Sequence, residues 1–338
     1  MTKFRAGNGL IFVCIILCLI LGVFSLCIGR FSISILELWH FIWSFQDSEI
    51  TSRSQAIHSV ILDSRLPRIL AALCVGAALS TSGAAYQAVF RNPLVSPGLL
   101  GVLAGSGFGA ALSIVAGLDP FGIQLCSFLG GISAVVISIL VQRMVGAGSI
   151  LMLIFGGLVS AALFTALLSI LKYIADPESQ LPDIVFWLLG SLTQISSGQL
   201  LMTAFPVMGG IFGLTLSGRI LDALSMGDDE AHTLGVHVEF IRYAVIGAAT
   251  VLAALTVSMA GMIGWVGLVV PHIARLLGGP SNRRLIFLSA IIGAMFLLLS
   301  DDLARTLSAE EIPVGIITDL VGCMLFLGVL ALSKQVQA

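Results

Sequence analysis

Long apolar runs dominate this chain and restrict its fold more than any other feature. A bilayer core of about 30 Å requires about 20 apolar residues per spanning helix, and fewer where a helix is broken. Ten runs meet this requirement, at residues 10–29, 66–86, 98–117, 123–141, 149–172, 199–217, 241–262, 265–277, 285–305 and 314–333. The sequence therefore predicts an all-α, polytopic membrane protein with about ten transmembrane helices, built as a single domain over residues 1–338.

Composition supports this class and excludes others. Of the 338 residues, 58% are hydrophobic and 10% are charged, against about 25% charged in soluble domains, so most of the surface must face lipid. The net charge of −2 argues against a nucleic-acid partner. The six cysteines form no C-x-x-C pair, which indicates neither a metal site nor a disulfide framework. We expect membrane lipid as a partner and no cofactor.

The charges at the ends of the spans predict the orientation. Lys3 and Arg5 before the first run are typical of a signal peptide, but that run is long enough to span and many more follow it. An uncleaved first helix is therefore expected. An even number of spans places both termini on one side, and basic residues are more frequent on that side, which predicts cytoplasmic termini.

The segment between the first two spans, residues 30–64, is predicted to be periplasmic. Residues 34–45 place Trp39 and Trp43 on a short helix that Ser32 or Ser34 could cap. Aromatic rings prefer headgroup depth, so this helix should lie on the membrane surface. His40 on it is interpreted as a surface histidine rather than a ligand.

Two stretches resemble each other. Residues 77–97 and 253–271 both run from small residues into a proline-bearing turn, and the span count gives them opposite directions across the membrane. Opposed copies are typical of the inverted repeats of transporters. The sequence thus suggests an inverted repeat of helices 2–5 and 7–10. The eighth run is short and has glycines at its start (Gly261, Gly264, Gly267), which predicts a broken or half-length helix.

The source of energy is predicted to lie outside the chain. There is no G-x-x-x-x-G-K-[ST] loop to cradle ATP phosphates, so no ATPase or other enzyme is indicated. Ion-coupled carriers need ionisable groups at mid-membrane, and only Asp319, and marginally Asp301 and Asp302, approach that depth. An ion-coupled secondary transporter is the alternative. An intramembrane hydrolase using Ser106 or Ser258 with His272 is a third hypothesis, although nothing in the sequence fixes that geometry.

The longest polar stretch on the cytoplasmic side lies within residues 218–240. Gly227 precedes an acidic helix start at Asp228, Asp229 and Glu230, which suits the helix dipole. Gly235 follows Leu234 and suits a helix C-cap. Physical reasoning alone leaves a docking element and a plain solvated loop equally open.

Several motifs resemble the permeases that import iron–siderophores, haem and vitamin B12 with ATP-binding-cassette subunits. They are residues 65–68 (RLPR), 91–94 (RNPL), 187–192 (WLLGSL), 227–236 (GDDEAHTLGV), 267–275 (GLVVPHIAR) and 312–315 (IPVG). The resemblance extends from about residue 60 to the C-terminus in the family's order. The general character of the sequence is closest to the molybdate/tungstate-importing members, although no single residue shows this.

The resemblance implies an importer permease of the bacterial inner membrane. The expected partners are a second copy of the chain, two cytoplasmic ATP-binding subunits and a periplasmic substrate-binding protein. The expected cargo is a metal-containing substrate (molybdate/tungstate, iron–siderophore, haem or cobalamin), moved by alternating access.

The same resemblance assigns roles to individual residues, each with a structural alternative. The coupling loop is implied to contact the ATPase, and its residues are Gly227, Glu230, Ala231, Leu234 and Gly235. Docking of the binding protein is implied for Arg65, Arg68 and Arg305; snorkelling at the interface is the alternative, or for Arg305 an i,i+4 pair with Asp301. The translocation path is implied to include Gly156, Gly157, Ser160, Gly190 and Ser191, for which core packing is the alternative.

Two positions depart from the family pattern. Asp319 stands where relatives usually have a small uncharged residue, and Met324 where they often have proline. A carboxylate early in the tenth helix is costly unless it is paired or wet. The roles that residues play in the gate of the family's permeases therefore cannot be assigned directly to this chain.

Overall fold

The computed structural model describes residues 8–43, 52–146, 149–193, 195–308 and 310–337, and among these there is no strand. The helices are α1 Asn8–Cys27, α2 Ile35–Trp43, α3 Ser52–Ser59, α4 Leu66–Phe90, α5 Val102–Val115, α6 Pro120–Val145, α7 Ile150–Ile174, α8 Gln180–Leu189, α9 Ser197–Leu216, α10 Gly218–Met226, α11 Asp228–Thr233, α12 Val238–Ala260, α13 Val266–Gly278, α14 Asn282–Thr306 and α15 Val314–Gln337. A π-helical segment, Val60–Arg65, joins α3 to α4, and a 3₁₀ turn, Pro97–Leu100, precedes α5. The predicted all-α architecture is confirmed.

Helix length separates two groups of apolar helices. Seven are long and apolar enough to cross a membrane: α1, the continuous helix Arg53–Phe90, α6, α7, α9, α12 and α14. Four are apolar but shorter: α5, α8, α13 and the first part of α15, Val314–Val329. The 13 residues of α13 confirm the short eighth span. A count of ten crossings requires three of the shorter helices to cross as well.

Helix α4 forms the centre of the bundle, where glycines allow very close helix approach. It packs against α9, α12, α13 and α14. A Cβ added at Gly76 would lie 2.2 Å from the Gly293 carbonyl oxygen, and one at Gly83 would lie 1.8 Å from that of Gly267. Small residues let backbones meet in this way, and close packing is a main source of helix association in lipid. The crossings of α4 with α13 and α14 therefore depend on glycine.

Replacing Gly83 with alanine should lower the free energy of unfolding by about 1–3 kcal/mol, the range for overpacked cores. The added methyl group meets backbone of α13, which cannot rotate away as a side chain can. Gly247→Ala on α12 is the matched control, because a Cβ there meets nothing within 4 Å. Thermal unfolding in detergent should show destabilisation for Gly83→Ala only. Equal unfolding temperatures for the two variants would contradict the close packing of α4 on α13 at Gly83.

Two sets of four helices have similar lengths, within two residues of each other, and corresponding neighbours. The lengths are 25, 14, 26 and 25 residues for α4–α7, and 23, 13, 25 and 24 residues for α12–α15. Helix α4 packs against α13 and α14, and α12 packs against α5 and α6. Contacts among α5, α6 and α7 have counterparts among α13, α14 and α15, and α4 contacts α12.

The segment before α4 is more helical than expected. Ser34 caps α2: its Oγ accepts from the Glu37 N–H at 3.2 Å, while the Glu37 carboxylate accepts from the Ser34 N–H at 2.8 Å. Trp39 and Trp43 are exposed, and residues 44–45 of the predicted helix lie outside the described residues. The second span begins earlier than the predicted residue 66, because the helix runs through the π-helical segment into α4. Pro67 lacks an N–H and would crowd the preceding turn, and the wider π turn accommodates it.

Candidate functional site

Three chain segments meet where α8 ends, where α12 breaks from α13, and where α15 begins. The Ser191 N–H donates to the Ala260 carbonyl oxygen at 2.8 Å. A Cβ at Gly190, whose φ is +73°, would lie 2.6 Å from the Met262 carbonyl oxygen, and one at Gly315 would lie 2.2 Å from that of Leu189. We call Gly190–Ser191, residues 261–265 and Gly315 the junction.

The junction contains non-helical backbone between two apolar helices. Residues 261–264 between α12 and α13 have no helical structure, and Trp265 adopts a positive φ of 62°. Helix α13 has 13 residues and thus spans only about 20 Å. It is therefore too short to cross a core of about 30 Å by itself. Irregular backbone is tolerated within the hydrocarbon region only inside protein or beside water.

The other residues predicted to line a path, all on α7, face the interior of the chain. A Cβ at Gly156 would lie 2.3 Å from the Ser138 carbonyl oxygen, and one at Gly157 would lie 2.3 Å from that of Leu99. The Ser160 hydroxyl is buried and donates to the Ala134 carbonyl oxygen at 2.7 Å. The structure gives these three residues the packing role that was the alternative. The exposed face of α7 carries large apolar residues such as Phe155 and Leu158 instead.

The cytoplasmic loop forms the predicted short helix. α11 spans Asp228–Thr233, and Gly235 follows with a φ of +78°. The Gly235 N–H donates to His232 and the Val236 N–H to Ala231, which is the Schellman pattern that closes a helix. The helix and its glycine C-cap are therefore confirmed, while contact with an ATPase stays a prediction.

The residues assigned to the coupling loop divide between two faces. Ala231 is fully buried in the core of this chain, where it docks α11 onto the bundle, and its contact with the ATPase stays a prediction. Leu234 is 63% exposed, and a Cβ at Gly235 would meet nothing within 4 Å. Gly227 has a φ of +146°, a backbone conformation that favours glycine. Leu234 and Gly235 are the assigned residues that lie at the surface of the loop.

An ionic clamp fixes the start of α11. The Asp228 carboxylate accepts from the Arg242 guanidinium at 2.8 Å and also pairs with Arg91, which ends α4 in the left-handed conformation. Partial burial raises the pKa of Asp228, but the hydrogen bonds and charges of Arg242 and Arg91 outweigh it, and the net pKa lies below the usual value. The carboxylate is thus ionised at neutral pH and ties the loop to α4 and α12.

The three arginines predicted to dock a binding protein are engaged inside the chain. Arg65 donates to the carbonyl oxygens of Leu26, at 2.5 Å, and of Phe31. Arg68 pairs with Asp301 at 2.9 Å and with Glu311 at 2.7 Å.

Arg305 completes this group. It pairs with Asp301 at 3.3 Å, which is the i,i+4 alternative, and also with Asp302. Arg65 and Arg305 are each 5% exposed. The geometry favours an internal role, and docking at these three positions stays a prediction.

The hydrolase hypothesis finds no support in the described geometry. The Ser106 hydroxyl and the His272 Nδ1 are both buried, and neither has a hydrogen-bond partner among the described residues. The Ser258 hydroxyl donates to the Leu255 carbonyl oxygen at 2.9 Å. A nucleophile and its base must lie within hydrogen-bond reach, and neither serine bonds to His272.

Comparison with known proteins gives the family. The model of the FecCD transport family matches residues 17–332, which is nearly the whole chain. The chain belongs to the FecCD transport family. It is therefore a multi-pass membrane permease of the ABC-importer type.

Relatives of this FecCD permease have different cargoes. The molybdate import system permease protein MolB of Haemophilus influenzae is 41% identical over 313 residues, with 92% of each chain covered. The hemin transport system permease protein HmuU of Yersinia pestis is 36% identical, with 95% of each chain covered. A solved structure described as an inward-facing metal-chelate type ABC transporter has a TM-score of 0.87 and 38% identity, covering 96% of this chain and 99% of the other.

Sequence reasoning found the local pair of Arg305 with Asp301 but missed the long-range partners of the charged residues in this FecCD permease. Arg91 and Asp228 stand 137 positions apart, and Arg68 and Asp301 stand 233 apart. The sequence singles out these residues individually, because they belong to motifs or lie at helix ends. Their pairing depends on the helix arrangement, and one sequence carries no signal for it.

Proposed function

We propose that this chain is the transmembrane subunit of a homodimeric importer that is powered by two separate ATP-binding subunits and supplied by a periplasmic binding protein. Membership of the FecCD family carries the proposal. The exposed Leu234 and Gly235 next to a clamped α11 support a docking role for the 218–240 loop. The cargo is a metal-containing substrate, within the range of molybdate/tungstate, iron–siderophore, haem and cobalamin.

The translocation path of the cargo is proposed to run along the junction. Alternating access would open this path first to one side of the membrane and then to the other. Gly190 and Ser191 keep their assignment, because they lie beside the non-helical residues 261–265. Transporters commonly place their substrate route at discontinuous helices. The matching lengths and neighbours of α4–α7 and α12–α15 support the inverted repeat of helices 2–5 and 7–10. With α5, α13 and α15 crossing, the chain has ten spans, and both termini are cytoplasmic in the bacterial inner membrane.

The energy source is the decisive test of this function. Proteoliposomes that hold the permease with its ATP-binding subunits and receive loaded binding protein should accumulate cargo only when ATP is supplied on the ATPase side. A proton or sodium gradient without ATP should give no uptake. Uptake driven by such a gradient without ATP would overturn the proposal in favour of the ion-coupled carrier.

A further inference from the structure

Asp319 on α15 lies beside the junction. A Cβ at Gly264 would lie 2.5 Å from its Oδ1 atom, so the carboxylate is in contact with the non-helical stretch between α12 and α13. Within the described residues, no hydrogen bond or ion pair of this carboxylate is found, and its side of α15 is exposed. It is thus an unpartnered carboxylate at the depth of the junction.

Lipid is an unsuitable neighbour for this face of the chain. A charge in hydrocarbon is costly, and irregular backbone is not left exposed to lipid. Gly264 and Asp319 present both features at one place. This surface must therefore face water or a partner protein.

Few cations on the neighbouring helices could neutralise Asp319. The helices packed against α15 are α8, α13 and α14. Helix α8 has no basic residue, Arg275 of α13 donates to Gln87, Arg305 of α14 pairs with Asp301 and Asp302, and Arg283 and Arg284 lie at the opposite end of α14 from Arg305. On α15 itself, Lys334 lies 15 positions further along, which is about 22 Å. Lys172, near the end of α7, is the basic residue tested below as a partner across a homodimer.

We propose that Asp319 lines the permeation path and makes it electronegative, so that the cargo is a neutral or cationic metal chelate rather than an oxyanion. The inference rests on the proposed importer function. A homodimer doubles this charge, and like charge in a narrow path repels an anion such as molybdate.

Cys323 provides a native reporter for the test. It is exposed and lies four residues from Asp319, hence on the same face of α15. The permease, bound to its ATP-binding subunits in nanodiscs, would keep Cys323 while the other cysteines are replaced by serine: Cys14, Cys18, Cys27, Cys74 and Cys126. The probes are two thiol reagents of opposite charge, a trimethylammonium-ethyl and a sulfonatoethyl methanethiosulfonate.

The ratio of the cationic to the anionic reaction rate at Cys323 should be about tenfold higher with Asp319 than in Asp319→Asn, because the carboxylate attracts one reagent and repels the other. Glu178→Gln is the matched control, since Glu178 is an exposed carboxylate in the turn before α8 and its loss should leave the ratio unchanged. The readout needs neither cargo nor ATP, so its failure is distinct from failure of ATP-driven uptake.

Several results would overturn the inference. One is a Cys323 that reacts with neither charged reagent, which would place this face in lipid or protein. Another is the same ratio with and without the Asp319 carboxylate. A third is a ratio that depends on Asp319 only after Lys172→Gln, which would show that Lys172 neutralises it. ATP-driven uptake of molybdate, delivered by the cognate binding protein, would refute the cargo class.

Discussion

Replacing Arg68 with alanine should lower the free energy of unfolding by about 3–5 kcal/mol, the range for removing one partner of a buried ion pair. Arg68 is largely buried and holds Asp301, whose side chain is fully buried, through Nε and Nη2 at 3.0 and 2.9 Å. Without Arg68, the Asp301 carboxylate keeps only Arg305, at 3.3 Å. The bundle would then carry a buried charge with too few donors. Denaturant titration in detergent, followed by tryptophan fluorescence, measures the change.

The matched control for Arg68→Ala is Arg53→Ala. Arg53 pairs with Glu37 at 2.6 Å, a shorter contact than that of Arg68 with Asp301, but its side chain is 59% exposed. Exposed ion pairs add little to stability, so the free energy of unfolding of this variant should be close to that of the unaltered protein. Adding Asp301→Asn to Arg68→Ala should recover part of the loss, because the uncompensated charge is removed. Equal free energies of unfolding for Arg68→Ala and Arg53→Ala would show that the ion pairs of Arg68 with Asp301 and Glu311 do not hold the bundle together.

The ion pairs of Arg68 and Arg305 also show why the presence of these arginines does not by itself predict docking of a binding protein. The family resemblance implied docking for Arg65, Arg68 and Arg305, with interfacial snorkelling, or for Arg305 a pair with Asp301, as the alternatives. In the structure Asp301, Asp302 and Glu311 pair with Arg68 and Arg305. Any acidic partner must compete with these internal bonds.

Features that depend on local sequence were predicted well. Hydrophobic length gave the all-α membrane class, and glycine and acidic residues gave α11 with its cap at Gly235. The short α13 followed from the glycines at its start. Each of these depends on neighbours within a few residues, which one sequence records directly.

Features that depend on side-chain direction were predicted less well. Gly156, Gly157 and Ser160 are small, as both a path and a helix crossing require, and only the packing of α7 against α6 and the Pro97–Leu100 turn distinguishes the two. Ala231 belongs to the coupling motif but faces the core. The π-helical segment before Pro67 has no local signal that distinguishes it from an ordinary helix start.

Replacing Gly235 with tryptophan should abolish ATP-driven uptake while leaving the folded permease and its dimer intact. Gly235 closes α11 with a φ of +78°, and open space surrounds it, so an indole would project from the loop surface next to Leu234. If this surface docks the ATPase, the indole keeps the two subunits apart. A left-handed conformation costs a non-glycine residue about 1–2 kcal/mol, which the fold should tolerate.

Two control variants separate the bulk of the indole from the backbone strain. Gly117→Trp has a similar φ of +69°, the same Schellman pattern of hydrogen bonds and equally open surroundings, but it lies between α5 and α6, outside the coupling loop. Gly235→Asn keeps the left-handed turn with a small side chain. Both controls should retain most of the uptake and of the binding to the ATP-binding subunits, whereas Gly235→Trp should lose both. Pull-down of the ATP-binding subunits and uptake in proteoliposomes measure this. Normal uptake in Gly235→Trp would refute the coupling role of the loop, because no close subunit contact at Leu234 could accommodate a tryptophan one residue away.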